Sequence, residues 1–374
     1  MQIQLGMGVE ELPTPCLLVD LDIMERNISS WQTAITNAGC ALRPHIKTHK
    51  IPEIGGLQIA AGARGITAAK VSEAEVFARA GFDDIYIAYP IIGEDKWRAA
   101  AEMAREIRLI AGADSETGLH GLSAAAVRAG SQIEIRIEFE SGLNRVGVAR
   151  AGVLPLCRLA EDLPGIELNG LMTYRSGTFP GAKNRTREEV AREEGELLVE
   201  VAEEMRAQNI EIKEVSGGST PTGKIAAAVK GVSEVRPGTY VFNDYACTHW
   251  GVAEYSDCAL SILCTVVSRP SQEVATIDGG SKTFCGDWWP GSLGVEGYAR
   301  GAGKDAPINA FVTRMSEEHG VVTSHESIDW KIGERVAFHP LHVCTTVNLS
   351  DELIGVRNGV VEIIWPVAAR GKRT

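Results

Sequence analysis

The eight cysteines, at positions 16, 40, 157, 247, 258, 264, 285 and 344, include no CxxC pair and no short repeating spacing. That excludes a disulfide framework or a zinc ribbon and predicts reduced, mostly buried thiols, with Cys344 as the exception. No apolar run is long enough to cross a bilayer, so no membrane partner is expected. The opening MQIQLGMGVEELPTP lacks the basic-then-apolar build of a secretion signal, which predicts a cytoplasmic protein. Positive charge is in short supply: the formal net charge is −12, and a partner with a phosphate backbone needs a basic surface, so no nucleic acid is expected. Much of the acid lies in runs such as REEVAREEGE, read here as the wet face of a helix.

What is present suits a globular protein. The 374 residues are 44% hydrophobic and 23% charged, enough for one large domain and a smaller one. Strand-like runs CALRPHIK, GITAAK, DIYIAY, IRLIAG, IEIRIEFE, IELNGLMTY, EIKEVSGG and EVRPGTYVF alternate with amphipathic or Ala-rich segments such as VSEAEVFARAG. Eight strand–helix units predict an α/β fold, a parallel (β/α)8 barrel of the TIM type, over residues 20–248. Beyond residue 250 short β-rich runs take over, among them ALSILCTVVSRP, EVATIDGG and ELIGVRNGVVEIIWPV. They predict a second, mainly antiparallel β domain from residues 1–19 and 249–374, with a frayed tail ARGKRT.

In CALRPHIK, strand alternation puts Ala41, Arg43, His45 and Lys47 on one face, with Lys47 at the C-terminal end, where barrel enzymes build their sites. That face is a poor apolar core, so something polar or anionic is expected against it. A lysine among cations becomes a usable amine nucleophile; a rim lysine paired with a carboxylate is the equal alternative. SGGSTPTG, with Gly218, Ser219 and Thr220, follows a later strand, and VRPGTYVFND, with Gly238 and Thr239, offers a second glycine turn one unit later. Glycine turns of this kind let backbone N–H groups surround a phosphate, and phosphate sites recur at the last two strands of such barrels. A lysine amine plus a phosphate site points to pyridoxal 5′-phosphate. In PLHVCTTVNL, His342 and Cys344 share a face if the segment is a strand; imidazole and thiolate are good zinc ligands, and a buried cysteine beside a hydrogen-bonded histidine is the alternative.

Taken together, LPTPCLLVDLDIMERNI, LRPHIKTHK, KVSEAEVFARAGFDDIYIAYP, SGLNRVGV, VSGGSTPT, EVRPGTYVFND, EEHGVV, HVCTTVNL and VRNGVVEIIWPVAARGK resemble, nearly end to end, the pyridoxal-phosphate enzymes of the D-threonine aldolase and D-serine dehydratase family, whose barrel is that of alanine racemase. The resemblance implies that Lys47 carries the cofactor as a Schiff base. It implies that Arg145 faces the cofactor's phenolic oxygen, that Tyr174 lies against the ring, and that Arg236 faces the pyridine nitrogen. It gives the phosphate to Gly218, Ser219, Gly238 and Thr239, and a divalent metal to His342 and Cys344, where the thiolate favours zinc and an open site also accepts manganese. It also implies a homodimer. The family's aldolases carry His-x-Asp at the metal pair and a histidine after the tyrosine; this chain has Cys344 and reads TYRSGTFPGAKN, although Arg175 in that turn fits neither branch.

The resulting expectation is a lyase that eliminates water from a small D-3-hydroxy amino acid such as D-serine or D-3-hydroxyaspartate. Retro-aldol cleavage to glycine and an aldehyde is the first alternative. A non-catalytic pyridoxal-phosphate carrier and a racemase are the others, and both leave the metal pair without a task.

Overall fold

Short aliphatic runs bounded by glycine, proline or charged residues build the strands of this molecule, and longer alanine- and glutamate-rich runs build its helices. A computed structural model describes residues 3–176, 185–303 and 307–374. The chain divides into two compact units, one of Ser30–Lys47, Ile54–Gly238 and Gly371–Thr374, the other of Met1–Ser29, Thr48–Glu53 and Thr239–Arg370.

The first unit holds the eight expected parallel strands. In spatial order they are Ala41–Leu42, Glu234–Val235, Glu214–Gly217, Ile166–Met172, Ile133–Glu138, Arg108–Ala113, Asp84–Pro90 and Ile66–Ala68. The two end strands meet through the His45–Thr67 bridge and the Thr67 N–H, which donates to Pro44 O at 2.8 Å, so the barrel closes. Helices follow most strands, as right-handed crossovers require. Ile133, Ile135 and Ile137 of one strand are fully buried on its outward face, as alternation demands.

The inward face is polar. Arg43 and Arg136 are fully buried and share Glu234, with Arg43 Nε to Glu234 Oε2 at 2.7 Å, and Arg43 also reaches Asp84 Oδ1 at 2.5 Å. Burial alone would raise Glu234, but the two guanidinium groups outweigh it and hold its carboxyl well below the usual range. The anionic matter expected against Arg43 is therefore protein, and Arg43 lends no free charge to Lys47.

The second unit carries a nine-stranded sheet in the order Val274–Ile277, Gly320–Ser324, Pro307–Met315, Ala299–Ala302, Arg335–Pro340, Leu260–Ser268, Cys16–Asp20, Glu352–Arg357 and Val360–Pro366. An extra pairing of Val274–Ile277 with Leu260–Ser268 closes the first six into a ring. All pairs are antiparallel except Cys16–Asp20 with Glu352–Arg357. The helix Tyr245–His249 belongs here: Tyr245 and Ala246 pack with Phe311 and Leu341. Its N-cap Asp244 accepts from the Val343 N–H at 3.1 Å, so the structural division falls at 238/239, ahead of the boundary drawn from composition at 248.

The tail is ordered rather than frayed, since Thr374 O accepts from the Ser72 N–H at 2.9 Å and the Ser72 hydroxyl at 2.8 Å. All eight cysteines are free. Among the described residues no helix is long and apolar enough to cross a membrane.

Candidate active site

Lys47 does not end a strand. The strand stops at Leu42, because Pro44 has no N–H for the ladder, and Lys47 lies in the 3-10 turn Ile46–Thr48. The alternation argument therefore holds only as far as His45. The placement survives for another reason: His45 N–H donates to Pro237 O at 2.9 Å, which carries the turn to the C-terminal mouth of the barrel. His45 Nδ1 in turn accepts from the Lys47 N–H at 3.4 Å, bracing the turn. The Lys47 side chain is half-buried, and among the described residues its amine has no hydrogen bond or ion pair, so the rim-lysine alternative has no carboxylate to support it.

Gly218 follows the strand Glu214–Gly217 and has φ +71°, and a Cβ there would meet Gly223 Cα at 2.9 Å and Val235 Cγ1 at 3.0 Å. Only glycine makes this turn without strain. Part of the expected phosphate cradle is already committed. Gly218 N–H donates to Glu194 Oε1 at 3.2 Å, and Ser219 N–H donates to Thr222 Oγ1 at 3.0 Å. The helix that follows, Gly223–Ala227, is five residues long and adds little dipole.

Glu194 corrects the reading of REEVAREEGE as a wet face. It is fully buried on the inner side of Arg187–Ala207, in register with Val190, Ala191 and Leu198, and it also accepts the Arg175 N–H at 2.9 Å. Its place on the apolar stripe, four residues after Val190, is the signal that could have found it. One carboxylate thus ties the Gly218 turn to the turn that carries Tyr174 and Arg175. Arg175 itself donates to Ser141 O at 2.7 Å. The histidine-free stretch of that turn from residue 177 to 184 lies outside the described residues.

Arg145 sits in the loop after Ile133–Glu138, exposed, with its guanidinium carbon 4.7 Å from the centre of the half-buried Tyr174 ring. Glu140 shapes that loop by accepting the Gly142 N–H at 2.8 Å and the Asn144 N–H at 2.6 Å. Arg236 is buried and donates to Ser216 Oγ and to Thr173 O, the latter at 3.0 Å. Thr220 and Gly238 are buried in their turns. Thr239 opens the second unit, where its hydroxyl lies 3.7 Å from Cys344 Sγ.

His342 and Cys344 are not in a strand either. The strand Arg335–Pro340 ends before them; His342 is the N-cap of the helix Val343–Leu349 and Cys344 lies in its first turn. The two side chains still meet, through the cap geometry rather than through alternation, and they are in hydrogen-bond contact. His342 Nδ1 bonds Asp287 Oδ2 at 2.7 Å, and its ring stacks on Trp288 with centroids 3.9 Å apart and planes 4° from parallel. Thr345 Oγ1 also donates to Asp287 Oδ2, at 2.7 Å, and Thr48 Oγ1 lies 3.2 Å from Cys344 Sγ. Burial alone would favour a neutral imidazole, but the Cys344 sulfur and Asp287 raise His342 to about 10. Asp287 escaped the sequence reading, since one acid in CGDWWPG carries no periodic signal.

The residues fit the groups they were expected to hold. A half-buried amine without a partner, a turn that only glycine can make, and a fully buried carboxylate oxygen without a hydrogen bond, Glu138 Oε2, all belong to the barrel mouth. For a metal, the described residues gather no group of three or more His, Cys, Asp or Glu. The donor set is one imidazole and one thiolate, with the imidazole oriented by a carboxylate on its far nitrogen, as is usual for metal-bound histidine.

Residues 19–246 are similar to the family described as alanine racemase, N-terminal domain, and residues 259–356 to a serine dehydratase domain. A D-threonine aldolase of Arthrobacter sp is 34% identical over 98% of this chain and 95% of its own. A D-threo-3-hydroxyaspartate dehydratase of Delftia sp. (strain HT23) is 31% identical over 90% of this chain and 92% of its own. A D-threo-3-hydroxyaspartate dehydratase has been solved with a histidine, and with a cysteine two positions further on, replaced by alanine. The cysteine variant, in the metal-free form, superposes with TM-score 0.87 at 29% identity over 96% of this chain and 98% of that chain. The crystal structure of the D-threonine aldolase from Filomicrobium marinum gives TM-score 0.90 at 29% identity over the whole of both chains.

Proposed function

The chain belongs to the family of pyridoxal-phosphate-dependent lyases that includes D-threonine aldolase and D-threo-3-hydroxyaspartate dehydratase, and within it we propose that it is a divalent-metal-dependent dehydratase of small D-3-hydroxy amino acids. The observation that carries this reading is the donor pair itself, an imidazole and a thiolate with Asp287 fixing the imidazole. A histidine and a cysteine at the same spacing are the residues altered in the solved dehydratase variants. The non-catalytic carrier is discarded, because relatives named as enzymes match both units of this chain.

When bound, pyridoxal phosphate supplies an electron sink for charge at the substrate's Cα and a divalent ion supplies a Lewis acid for its β-oxygen. Lys47 would carry the cofactor and then take the proton from Cα with its freed Nζ. Gly218, Ser219, Thr220 and Gly238 would line the phosphate side, and Tyr174, held under Arg145, would cover the ring. His342 Nε2 and Cys344 Sγ would bind the ion, with zinc preferred by the softness of sulfur and manganese the alternative. We also keep the homodimer and the cytoplasmic location as parts of this proposal.

A second reading, retro-aldol cleavage, is favoured by the 34% identity to a D-threonine aldolase. The two break different bonds and are separated by products. Purified protein with cofactor and metal is given D-serine, D-threonine and D-3-hydroxyaspartate, and ammonia with keto acid is measured apart from glycine with aldehyde. Ammonia and keto acid are expected. Glycine and aldehyde as the main products of every substrate would establish the aldolase instead. Borohydride followed by peptide mapping is expected to fix the cofactor on Lys47, and finding it on Lys50 or Lys70 overturns that assignment.

A further inference from the structure

Asp287 orients His342, yet no regular element holds Asp287 itself. It lies in the loop between the strand Val274–Ile277 and the short helix Pro290–Leu293, and its side chain is 34% exposed. A carboxylate so placed swings about its last bond, whose wells are broad, unless both oxygens are held. Oδ2 takes His342 Nδ1 and the Thr345 hydroxyl, each at 2.7 Å. Oδ1 takes one group among the described residues, the Cys285 thiol, at 2.8 Å. The Asp287 N–H in turn donates to Cys285 Sγ at 3.3 Å, so the two residues close a small ring that holds backbone and side chain together. All of these residues belong to the second unit.

Packing alone does not account for Cys285. A buried thiol ordinarily behaves as a small apolar group with a weak donor. This one is 7% exposed, and it both gives a hydrogen bond to Asp287 and accepts one from it. Burial, and then Asp287, push the thiol up to about 11, against the pull of the Thr345 hydroxyl. It therefore keeps its proton at neutral pH and donates it to Oδ1. A metal ligand needs the opposite, a deprotonated sulfur. Cys285 accordingly does not join His342 and Cys344 as a third donor, and the described residues gather no such group of three.

We propose that Cys285 is a positioning residue for the metal pair: its thiol locks Asp287 Oδ1, which keeps Oδ2 aimed at His342 Nδ1 and leaves Nε2 of that ring for the ion. This rests on the reading that His342 and Cys344 bind a divalent metal. Partners that orient a metal-bound histidine usually govern its affinity, and Cys285 carries that control one residue further out. The two cysteines of the site thus have opposite tasks. Cys344 gives up its proton to bind the ion, and Cys285 keeps its proton to hold the carboxylate that aims the imidazole.

The test uses the full chain, with competition for zinc against a chromogenic chelator and with cobalt(II) as a spectroscopic probe. Cys285→Ala should hold zinc about three- to tenfold more weakly, the loss expected of one hydrogen bond. Cys285→Ser keeps a donor and should recover most of that loss. In an Asp287→Ala background, Cys285→Ala should cost nothing further, because the contact it acts through is gone. The cobalt form should show the charge-transfer band of a thiolate ligand, and Cys285→Ser should leave that band unchanged. If Cys285→Ala does not fold, Cys285→Val fills the site without a donor and takes its place. Equal losses of zinc affinity with and without Asp287 overturn the proposal, and so does a folded Cys285→Ala that binds zinc like wild type. A thiolate band that weakens in Cys285→Ser makes Cys285 a ligand and overturns it as well. Wild-type protein that binds neither zinc nor cobalt removes the underlying metal reading, and the proposal falls with it.

Discussion

Asp287 offers a measurable handle on the metal pair. Replacing it with alanine removes the hydrogen bond to His342 Nδ1 at 2.7 Å and the one from Thr345 at 2.7 Å. The imidazole then loses the shortest contact that fixes its tautomer and points Nε2 at the ion, leaving the Trp288 stack, Thr345 Oγ1 at 3.3 Å and Cys344 to orient the ring. A hydrogen bond to a charged group contributes about 1.5–3 kcal/mol when buried. The Asp287 side chain is 34% exposed, so water competes and the lower end applies. About 1.5 kcal/mol converts to roughly a tenfold loss of metal affinity, at the low edge of the 10–100-fold that oriented histidine ligands usually lose. Asp287→Asn keeps one hydrogen bond without the charge and should fall between. The assay is competition for zinc against a chromogenic chelator, with far-UV circular dichroism to show that the fold is intact. If Asp287→Ala, correctly folded, holds zinc as tightly as wild type, then His342 is not oriented by Asp287 and the donor-pair reading loses its main support.

Gly218→Val should weaken cofactor retention on dialysis, because the new Cβ meets Gly223 Cα at 2.9 Å on a backbone with φ +71°. Unchanged retention would count against Gly218 lying in the cofactor's cradle. Glu194→Ala strands the N–H groups of Arg175 and Gly218, at about 1–3 kcal/mol each in urea unfolding, while Glu194→Gln should cost far less. Burial raises Glu194, so its contribution is full below the ordinary glutamate value and fades as pH rises through the folded value. The stability gap between wild type and Glu194→Gln should therefore move in favour of glutamine as pH rises. Glu234→Gln leaves the buried Arg136 charge against a neutral partner and Arg43 with Asp84 alone, at a cost of about 3–5 kcal/mol in the same assay. Despite its burial, Glu234 is depressed by those arginines, so that cost should be full above the ordinary glutamate value and shrink as pH falls below it. A gap that is constant across the acid range would refute the ion-pair account.

The architecture was readable because periodicity is local. Eight aliphatic runs separated by amphipathic segments can bury their faces in few ways, and all eight appeared in order. Strands Ala299–Ala302, Pro307–Met315 and Gly320–Ser324 leave no clear pattern in the sequence, since their glycines and polar residues blur alternation and a ring closed by antiparallel partners supplies the burial instead. His342 and Cys344 were picked for their chemistry, which was sound, on a strand argument that was not. What brings them together is a helix cap.

By itself the sequence determined the fold class, the family, and the residue types that chemistry demands, because composition, spacing and short motifs act over a few residues. Only the tertiary structure decided which charges are spent. It gave Arg43 and Arg136 to Glu234, put Glu194 under the Gly218 turn, set Asp287 against His342, and left Glu138 without a partner. These pairs join residues up to 191 positions apart. A buried charge takes the nearest counter-charge in space, and that neighbour has no local trace in the chain.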